Sequence, residues 1–271
     1  MVTGRAVLSP GQIARYHEQG YLLAPGLLSA GEVGELIAMA EALHARGSIK
    51  GCFTLGTAEE IAGDPLKRYP RMMHPHRIDA TAKGCMLHRR VLDLLADLFG
   101  EEPLAAQSMW YWKPPGARGQ ALHQDNFYLR VHPGTCIAAW VAVDAADREN
   151  GGLVVAPGSH RLDIFCPEEA DLGESFTRHF VPVPQGLDEA PVDMASGDVL
   201  FFGGNLIHGS YPNRSAIRFR RSFICHYVGA SSEQVARFYK PLFRRDGSEV
   251  LLDDAPDGGG PCGEYAPAGP H

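Results

Sequence analysis

The residues most suited to chemistry in this sequence are two histidines and an aspartate. His123 and Asp125 are separated by one residue, and His208 follows in a later apolar segment. On a strand, side chains two residues apart point to the same face, so the imidazole and the carboxylate would lie side by side. Two imidazoles and one carboxylate can occupy one face of an octahedral metal ion and leave the other positions open. The three residues therefore predict a metal site of the kind that non-haem Fe(II) oxygenases use.

A cluster of arginines, Arg218-Phe219-Arg220-Arg221, follows His208. Interpreted as the start of a strand, it places Arg218 and Arg220 on one face. The planar guanidinium can donate two parallel hydrogen bonds to a carboxylate, which suits the binding of a co-substrate, and Ser210 could add a hydroxyl donor. A surface patch that binds phosphate or nucleic acid is the alternative. The alternation argues against it, because the side chains on one face of this strand would point into the core.

The bulk properties are ordinary for one large globular domain. Of the 271 residues, 45% are hydrophobic and 21% are charged. The formal net charge of -7 and the isoelectric point near 5.9 disfavour generic binding of nucleic acid. The sequence shows no signal peptide and no apolar run of the ~18 residues that cross a membrane. We therefore expect a cytoplasmic monomer or homodimer that acts on a small-molecule substrate, away from membranes.

The cysteines are scattered, without any pair of the CxxC type. This distribution predicts free thiols in a reducing compartment and not a disulfide framework. The residues concerned are Cys52, Cys85, Cys136, Cys166, Cys225 and Cys262.

The N-terminal third has the pattern of helices around a short strand. Ser9-Pro10 predicts a helix start, because serine caps helices and proline is tolerated in the first turn. Ser29, with Glu32 three residues later, predicts a capping box that opens a second helix. A further helix is predicted over 88–99, ended by a glycine. Residues 46–85 have no clean period, and we predict an irregular, mobile segment near the active site.

From about residue 103 the pattern changes to short apolar or alternating runs between turn residues. Many short strands at such intervals predict a β-sandwich or barrel. Residues 253–271 are rich in Gly, Pro and Asp, and we predict that this part of the tail is poorly ordered. The predicted strands are 104–113, 121–130, 135–144, 151–156, 179–183, 191–194, 198–202 and 218–228.

Several pieces of the sequence share their pattern with a known family. They are Leu122-His123-Gln124-Asp125, Ala139-Trp140-Val141-Ala142-Val143-Asp144, residues 149–160, Gly197-Asp198-Val199-Leu200-Phe201-Phe202, His208-Gly209-Ser210-Tyr211-Pro212-Asn213 and Arg220-Arg221-Ser222. In this combination they resemble the phytanoyl-CoA dioxygenase (PhyH) family of Fe(II)/2-oxoglutarate-dependent oxygenases. The resemblance runs from about residue 8 to residue 240 and is highly specific.

The resemblance implies a mainly β protein with flanking α-helices, built on a double-stranded β-helix (jelly-roll, cupin-like) core. It implies a single Fe(II)/2-oxoglutarate dioxygenase domain over residues 1–245. Within it, the helical part would cover about 8–100 and the jelly-roll core about 103–230. The Gly/Pro-rich tail, 246–271, would lie outside this domain.

The resemblance also implies that iron is held by His123, Asp125 and His208. Related halogenases replace the carboxylate with a small residue so that chloride can bind, and because Asp125 is present, oxidation is favoured over halogenation. The implied reaction consumes O2 and 2-oxoglutarate, hydroxylates an unactivated C–H bond, and releases succinate and CO2. We expect a specialised metabolite or an amino-acid-like compound as substrate. Desaturation, epoxidation and cyclisation remain alternatives, as does a non-redox, cupin-like metal-binding protein.

For the co-substrate, the resemblance implies that Arg220 holds the distal carboxylate of 2-oxoglutarate with assistance from Ser210. Trp140 and Gln124 would lie near the same molecule. The interval from the second histidine to the arginine is one residue longer than is usual for the family. Arg218, on the same predicted strand face, therefore remains an alternative.

Six residues are candidates for substrate contacts. Gln107 and Met109 alternate on the strand before the first histidine, although packing within a core explains them equally well. His74 and His76 would line a lid or bind an anionic group, with a solvated loop as the alternative. Cys225-His226 resembles a second metal pair, but adjacent strand residues face opposite sides, so we predict a structural role. The six candidates are Gln107, Met109, Asn126, Tyr128, His74 and His76.

Overall fold

The structure of the protein is a computed structural model, which describes residues 7–256. The helices are α1 (Pro10–Gln19), α2 (Ala30–Ala45), α3 (Ala58–Gly63), α4 (Pro65–Arg68), α5 (Ala80–Met86), α6 (Arg89–Phe99) and α7 (Asn126–Leu129). The strands are β1 (Tyr21–Ala24), β2 (Met72–Met73), β3 (Pro103–Lys113), β4 (Gln120–His123), β5 (Cys136–Ala142), β6 (Leu153–Val155), β7 (Glu168–Glu169), β8 (His179–Phe180), β9 (Ala190–Val192), β10 (Val199–Gly203), β11 (His208–Ser210), β12 (Arg220–Gly229), β13 (Gln234–Val235), β14 (Leu242–Phe243), β15 (Glu249–Val250) and β16 (Asp253–Asp254).

The N-terminal helices begin where the sequence predicts. Ser9 and Ser29 each accept a hydrogen bond from the backbone three residues on, and the side chains of Gln12 and Glu32 accept one from the backbone of the capping serine. This reciprocal capping satisfies donors that the first turn of a helix leaves without partners. At the other end of the helical region, α6 stops at Gly100, whose φ of 72° is in the left-handed region that glycine adopts easily.

Two antiparallel sheets form the jelly roll. The larger sheet has the strand order β1-β10-β5-β12-β3-β14-β15, with β2 paired to β3. The smaller sheet has the order β4-β11-β6-β9. Strand β12 is central to the larger sheet, because it pairs with β3 on one side and with β5 on the other. The mainly β, jelly-roll class predicted from the sequence is confirmed.

Alternating residues of β12 divide the molecule into two packing layers. Phe223 and Cys225 belong to a core formed where α1, α2, α5 and α6 pack on one face of the larger sheet. Ile224 belongs to a second core, on the opposite face of that sheet. Because strand residues two apart share a face, Arg220 and His226 point the same way as Ile224. The inner face of β12 therefore carries polar side chains into the space between the sheets.

Some local predictions are wrong. The strand predicted over 121–130 stops at His123, where the chain turns into α7, and the strand predicted from Arg218 begins at Arg220. Residues 46–85 contain α3, α4, β2 and α5 instead of one irregular segment. Strand β2 and helix α5 depend on partners distant in sequence, and helices α3 and α4 are too short for hydrophobic periodicity to detect, although Thr57 and Asp64 cap them.

The predicted tail also begins too early. Strand β15 pairs with β14, and β16 pairs with β13, so the fold continues past residue 246 to Asp254. The remainder of the predicted tail, residues 257–271, lies outside the described residues. Composition suggested a tail here because it reports the abundance of Gly and Pro and not the pairing partners of individual strands.

The structure bears on the predictions about the cysteines and about membrane-spanning helices. Cys166 is disulfide-bonded, so the prediction of free thiols is wrong at this position. Cys52, Cys85, Cys136 and Cys225 are free. Among residues 7–256, none of the helices has the length and apolar character that crossing a membrane requires.

Candidate metal centre

His123, Asp125 and His208 converge between the two sheets. His208, the first residue of β11, lies opposite His123, the last residue of β4, with ring centroids 4.3 Å apart. Oδ1 of Asp125 lies 3.5 Å from Nε2 of His123 and 3.6 Å from Nε2 of His208. The three ligand atoms all lie within 4.8 Å of one another. A single metal ion can therefore contact all three.

Asp125 reaches this point by a route that the sequence analysis did not predict. Its φ of -63° and ψ of -37° are helical, and it immediately precedes α7. The residue is therefore in a turn and not on the strand with His123. The alternation argument was wrong for this pair, although the two side chains do meet, because the turn after β4 bends the chain back toward the strand end.

Both imidazoles are held in the tautomer that a metal ion needs. Nδ1 of His123 donates to the carbonyl of Ala121 at 2.8 Å, and Nδ1 of His208 donates to the carbonyl of Leu206 at 2.9 Å. A ring nitrogen that donates to a carbonyl carries the proton, so Nε2 keeps its lone pair. Hydrogen bonds of this kind orient metal-binding histidines in proteins.

The charge states of the buried ligands also suit a cation. Burial alone would raise the pKa of Asp125, but the neighbouring His208, His226 and His123 outweigh it and hold that pKa well below its usual range. Burial lowers the pKa of His208 to about 4, although Asp125 partly opposes the shift. At neutral pH the site thus offers an ionised carboxylate and a neutral imidazole, the forms that bind metal ions.

His226 belongs to this site, although the sequence analysis assigned it a structural role. Its Nε2 lies 2.9 Å from Oδ2 of Asp125, and both side chains are 1% exposed. Adjacent strand residues do face opposite sides, and it is Cys225 that packs against the helices. The signal that could have found His226 is its place in the same alternation as Arg220.

A cavity extends from the metal ligands toward Arg220. Gln120 was also missed by the sequence analysis, and its Nε2 lies 3.2 Å from Nε2 of His123. The cavity is lined by Met109, Tyr111, Gln120, His123, Asp125, Trp140, Leu153, Phe202, His208, Gly209, Ser210, Arg220, Ile224 and His226.

Arg220 lines the other end of this cavity, and a second buried cation, Lys113, lies behind the cavity residue Ser210. Arg220 is 2% exposed and donates to Ser222 Oγ at 2.7 Å and to the carbonyl of Gly151 at 3.1 Å. Lys113, opposite Arg220 in the β3–β12 register, is 1% exposed and donates to Ser210 Oγ at 2.8 Å. Within residues 7–256, neither cation forms a hydrogen bond to a carboxylate. Lys113 was not predicted from the sequence.

Burial lowers the pKa of both cations. It lowers the pKa of Arg220 to about 10. Burial, together with the charge of Arg220, holds the pKa of Lys113 well below its usual range. At Arg220 the effect of burial outweighs the opposing charges of Tyr111 and Asp144, so the nearby groups of the described chain only partly balance this cation. An anion in the cavity would supply the remaining negative charge.

Gly151 closes the backbone over the two cations. Its φ of 88° is in the left-handed region, and a Cβ at this position would collide with the Lys113 side chain and approach Tyr211 O to 2.8 Å. Its own carbonyl accepts from Nε of Arg220. Only glycine permits this close approach.

Arg218, the alternative to Arg220, lies outside the cavity. Its guanidinium donates to both carboxylate oxygens of Asp147 at 2.7 and 2.9 Å and to Glu149 at 2.6 Å. The two arginines are separated because β12 begins only at Arg220, so strand alternation does not extend back to Arg218.

The two remaining predicted co-substrate residues behave differently. The guanidinium of Arg220 lies 5.3 Å from the ring centroid of Trp140, which lines the cavity. Gln124 does not line it. Its amide donates to the carbonyls of Asp163 and Asn205 and accepts from the backbone of Phe165, so it ties two loops together. The side chain next to two metal ligands is therefore turned away from the cavity.

The predicted substrate residues on β3 and α7 are only partly brought together. Met109 lines the cavity. Gln107 is fully buried opposite His226, and neither its amide nitrogen nor its amide oxygen has a hydrogen-bond partner. The ring centroid of Tyr128 is 6.4 Å from that of His123. Asn126 instead accepts a hydrogen bond from the backbone of residue 131, within its own turn.

His74 and His76 are neither a lid nor a solvated loop. They are 6% and 3% exposed, and burial lowers the pKa of each to about 3. His76 is held by a 2.7 Å contact between Nδ1 and Ser108 Oγ. Burial therefore favours the neutral form of both rings, and the predicted contact with an anionic group stays a prediction.

Fold and site together define a jelly-roll protein with two histidines and one carboxylate at one end of a cavity and a buried arginine at the other. The chain belongs to the phytanoyl-CoA dioxygenase (PhyH) family, which it matches over residues 16–222. It is accordingly a 2-oxoglutarate-dependent oxygenase, as its sequence pattern indicated.

Two of the curated relatives of this chain are plant proteins. The chain is 32% identical to Phytanoyl-CoA dioxygenase 1 of Oryza sativa subsp. japonica over 154 residues, which cover 56% of this chain and 54% of the relative. It is 27% identical to Phytanoyl-CoA dioxygenase of Arabidopsis thaliana over 253 residues, covering 82% and 89% of the two chains.

Solved structures from natural-product biosynthesis have the same fold. The epimerase SnoN, in complex with Fe3+, alpha-ketoglutarate (2-oxoglutarate) and nogalamycin RO, is 25% identical, with a TM-score of 0.65 over 82% of this chain and 84% of SnoN. The carbocyclase SnoK from nogalamycin biosynthesis is 22% identical, with a TM-score of 0.65 over 84% of this chain and 86% of SnoK. The likeness to SnoK concerns the fold alone.

Proposed function

We propose that this protein hydroxylates an unactivated C–H bond of a small molecule, using iron and 2-oxoglutarate. The overall reaction balances as substrate, 2-oxoglutarate and O2 giving hydroxylated substrate, succinate and CO2. The observation that carries the proposal is the pairing of a metal-ligand cluster with the buried Arg220 in one cavity, with Lys113 bound to Ser210 of the same cavity. A molecule with a metal-chelating end and a carboxylate at its other end satisfies both.

His123, Asp125 and His208 would hold the iron. Their neutral imidazole Nε2 atoms and ionised carboxylate oxygen fit the donor set of non-haem Fe(II). The iron, when bound, supplies the redox chemistry that couples decarboxylation of 2-oxoglutarate to oxidation of the substrate. The chain itself fixes the ligand orientation through the carbonyls of Ala121 and Leu206.

Arg220, Lys113 and Ser210 would hold the distal carboxylate of 2-oxoglutarate. Arg220 offers a planar guanidinium, and Lys113 a second positive charge at the opposite position of the neighbouring strand. Apolar side chains line the cavity between these cations and the metal ligands, including Met109 and Ile224. Such walls exclude water and so strengthen charge interactions inside. A non-redox metal-binding protein would have no use for this second, cationic end.

The substrate is proposed to be a specialised metabolite. The support is the 25% identity to SnoN, whose structure contains a nogalamycin compound. Gln107 could contribute to recognition, because its unpartnered buried amide offers a donor and an acceptor close to His226. Epimerisation is the second candidate, since SnoN is an epimerase with the same co-substrate. The product mass decides: hydroxylation adds one oxygen, and epimerisation leaves the mass unchanged.

Anaerobic titration of the purified protein tests the cofactor assignment. With Fe(II) and 2-oxoglutarate together, a weak visible charge-transfer band is expected, because 2-oxoglutarate chelates the metal. His208→Ala should remove the band by removing a ligand. Arg220→Ala should shift it to higher 2-oxoglutarate concentration, whereas the matched control Arg218→Ala should not. Absence of the band in the unaltered protein with iron demonstrably bound would overturn the proposal.

A further inference from the structure

We propose that His226 is a positioning residue that restricts Asp125 to binding the metal through one oxygen. The inference rests on the proposed function, since it concerns how the iron site of that function is kept open. His226 lies on β12, in the other sheet from β4 and β11, which carry the two histidine ligands. It is 101 residues from Asp125 in the sequence.

The two oxygens of Asp125 have different neighbours. Oδ1 faces the ligand nitrogens of His123 and His208 at 3.5 and 3.6 Å. Oδ2 lies 2.9 Å from Nε2 of His226. The carboxylate is ionised and can only accept, so the proton of this hydrogen bond is on Nε2 of His226. Turning the carboxylate so that both oxygens reach the metal would break this charge-assisted bond.

The number of coordination positions gives this bond its importance. Two imidazoles and a carboxylate bound through one oxygen fill three of the six positions of an octahedral ion. Chelation by 2-oxoglutarate takes two more, and one remains for O2. A carboxylate bound through both oxygens would take that last position. The hydrogen bond from His226 therefore protects the position on which the oxygenase reaction depends.

His226 is held firmly enough for this role. Its side chain is 1% exposed, and its strand is paired on both sides, with Gln107 opposite on β3 and Ala138 opposite on β5. A shared face with Ile224, which packs in the inner core, fixes the direction of the ring. The donor is therefore presented to Asp125 by the most extensively paired strand of the sheet.

Nitric oxide is the probe for the open position, because it binds Fe(II) where O2 would and gives an electron paramagnetic resonance signal. The matched variants are His226→Gln and His226→Asn. Both are polar and neutral, but only the glutamine amide nitrogen can reach the place of Nε2. Thermal melting of both proteins and their Fe(II) content are measured first, so that folding and metal loading are known.

In the Fe(II)–2-oxoglutarate complex, we expect His226→Gln to keep the nitrosyl signal within about threefold of the unaltered protein. His226→Asn should lose it by roughly tenfold or more while still binding Fe(II), a loss on the order of the fall in activity when a hydrogen-bond partner of a metal ligand is removed. Equal nitrosyl signals in the two variants would overturn the inference, whether both are retained or both are lost. Failure of the unaltered protein to bind Fe(II) or 2-oxoglutarate would instead overturn the proposed function.

Discussion

The two ends of the cavity differ in the sign of their buried charge. At the metal end, an ionised carboxylate is surrounded by histidines whose protons are directed to carbonyls or to the carboxylate itself. Near the other end, the hydrogen bonds that Arg220 and Lys113 donate within residues 7–256 go to neutral oxygens. The negative charge at one end suits a cation, and the positive charges at the other suit an anion. The difference between the two ends thus indicates which kinds of group each end can bind.

Removing the anionic group should have the largest effect. Asp125→Ala takes away a ligand and the only carboxylate that contacts the metal-binding histidines among the described residues, so substrate-dependent succinate formation should fall to background. Asp147→Ala, which alters the same residue type in the Arg218 ion pair, is the control and should keep activity within about twofold, as expected for an exposed pair. Succinate release with the candidate substrate is the measurement. If the Asp125→Ala variant still turned over substrate, Asp125 would not be the carboxylate on which the metal end depends.

Removing the stronger cation at the other end should come next. Arg220→Met should raise the KM for 2-oxoglutarate by roughly a hundredfold, since loss of one partner from a buried charge pair costs about 2–5 kcal/mol. Fe(II) binding should be unchanged, because the ligands are untouched. Arg218→Met is the matched control, with its guanidinium on Asp147 and Glu149. A larger KM change in Arg218→Met would reverse the assignment of the two arginines.

Lys113→Met should produce the same type of change on a smaller scale. We expect a rise of roughly tenfold in the KM for 2-oxoglutarate, the lower end of what a hydrogen bond to a charged group contributes. The rise in melting temperature on adding 2-oxoglutarate with metal should shrink accordingly, because bound ligand stabilises in proportion to its affinity. An unchanged thermal shift would remove Lys113 from the cationic end and leave Arg220 alone there.

The smallest expected effect concerns neutral histidines behind the site. The pKa of His76 is lowered by burial to about 3, against an ordinary value of 6.5. The unfolded chain therefore binds more protons than the folded one between these values, and stability falls as the pH drops below about 6.5. The slope is roughly 1.4 kcal/mol per pH unit for each such group.

His76→Gln should flatten the pH dependence of unfolding by about this slope. Urea unfolding between pH 6.5 and 4.5 measures it, and the exposed His17→Gln serves as control. If both variants keep the slope of the unaltered protein, His76 is not held neutral by the fold. That result would also weaken the distinction between neutral imidazoles near the metal end and charged groups at the other.

The part of the site that could be predicted from the sequence is the set of metal-ligand residues, which lie in short motifs. His123, Asp125 and His208 could be predicted because their residue types are diagnostic and two of them are neighbours in the chain. Lys113 and His226 could not, because their partners lie 97 and 101 residues away and meet them only across paired strands. Periodicity gives the face of a residue, whereas contacts between faces depend on the register of the sheets.

The choice between Arg218 and Arg220 also could not be made from the sequence, although the two residues are close together in the chain. Both fit a strand alternation, and sequence patterns place strand boundaries only to within a few residues. The structure starts β12 at Arg220, which leaves Arg218 to the acidic loop outside. The jelly-roll class was easier to predict than such boundaries, because it depends on many short strands together and not on the end of any one.

Gly151 has a consequence for how this protein could lose its activity. A single methyl group there would press on Lys113 and on Tyr211 O while leaving all three metal ligands in place. Substitution to alanine would thus separate two properties, iron binding and the use of an organic acid as reductant. A protein with such a change would still hold all three metal ligands, but it would be a metalloprotein without a reaction.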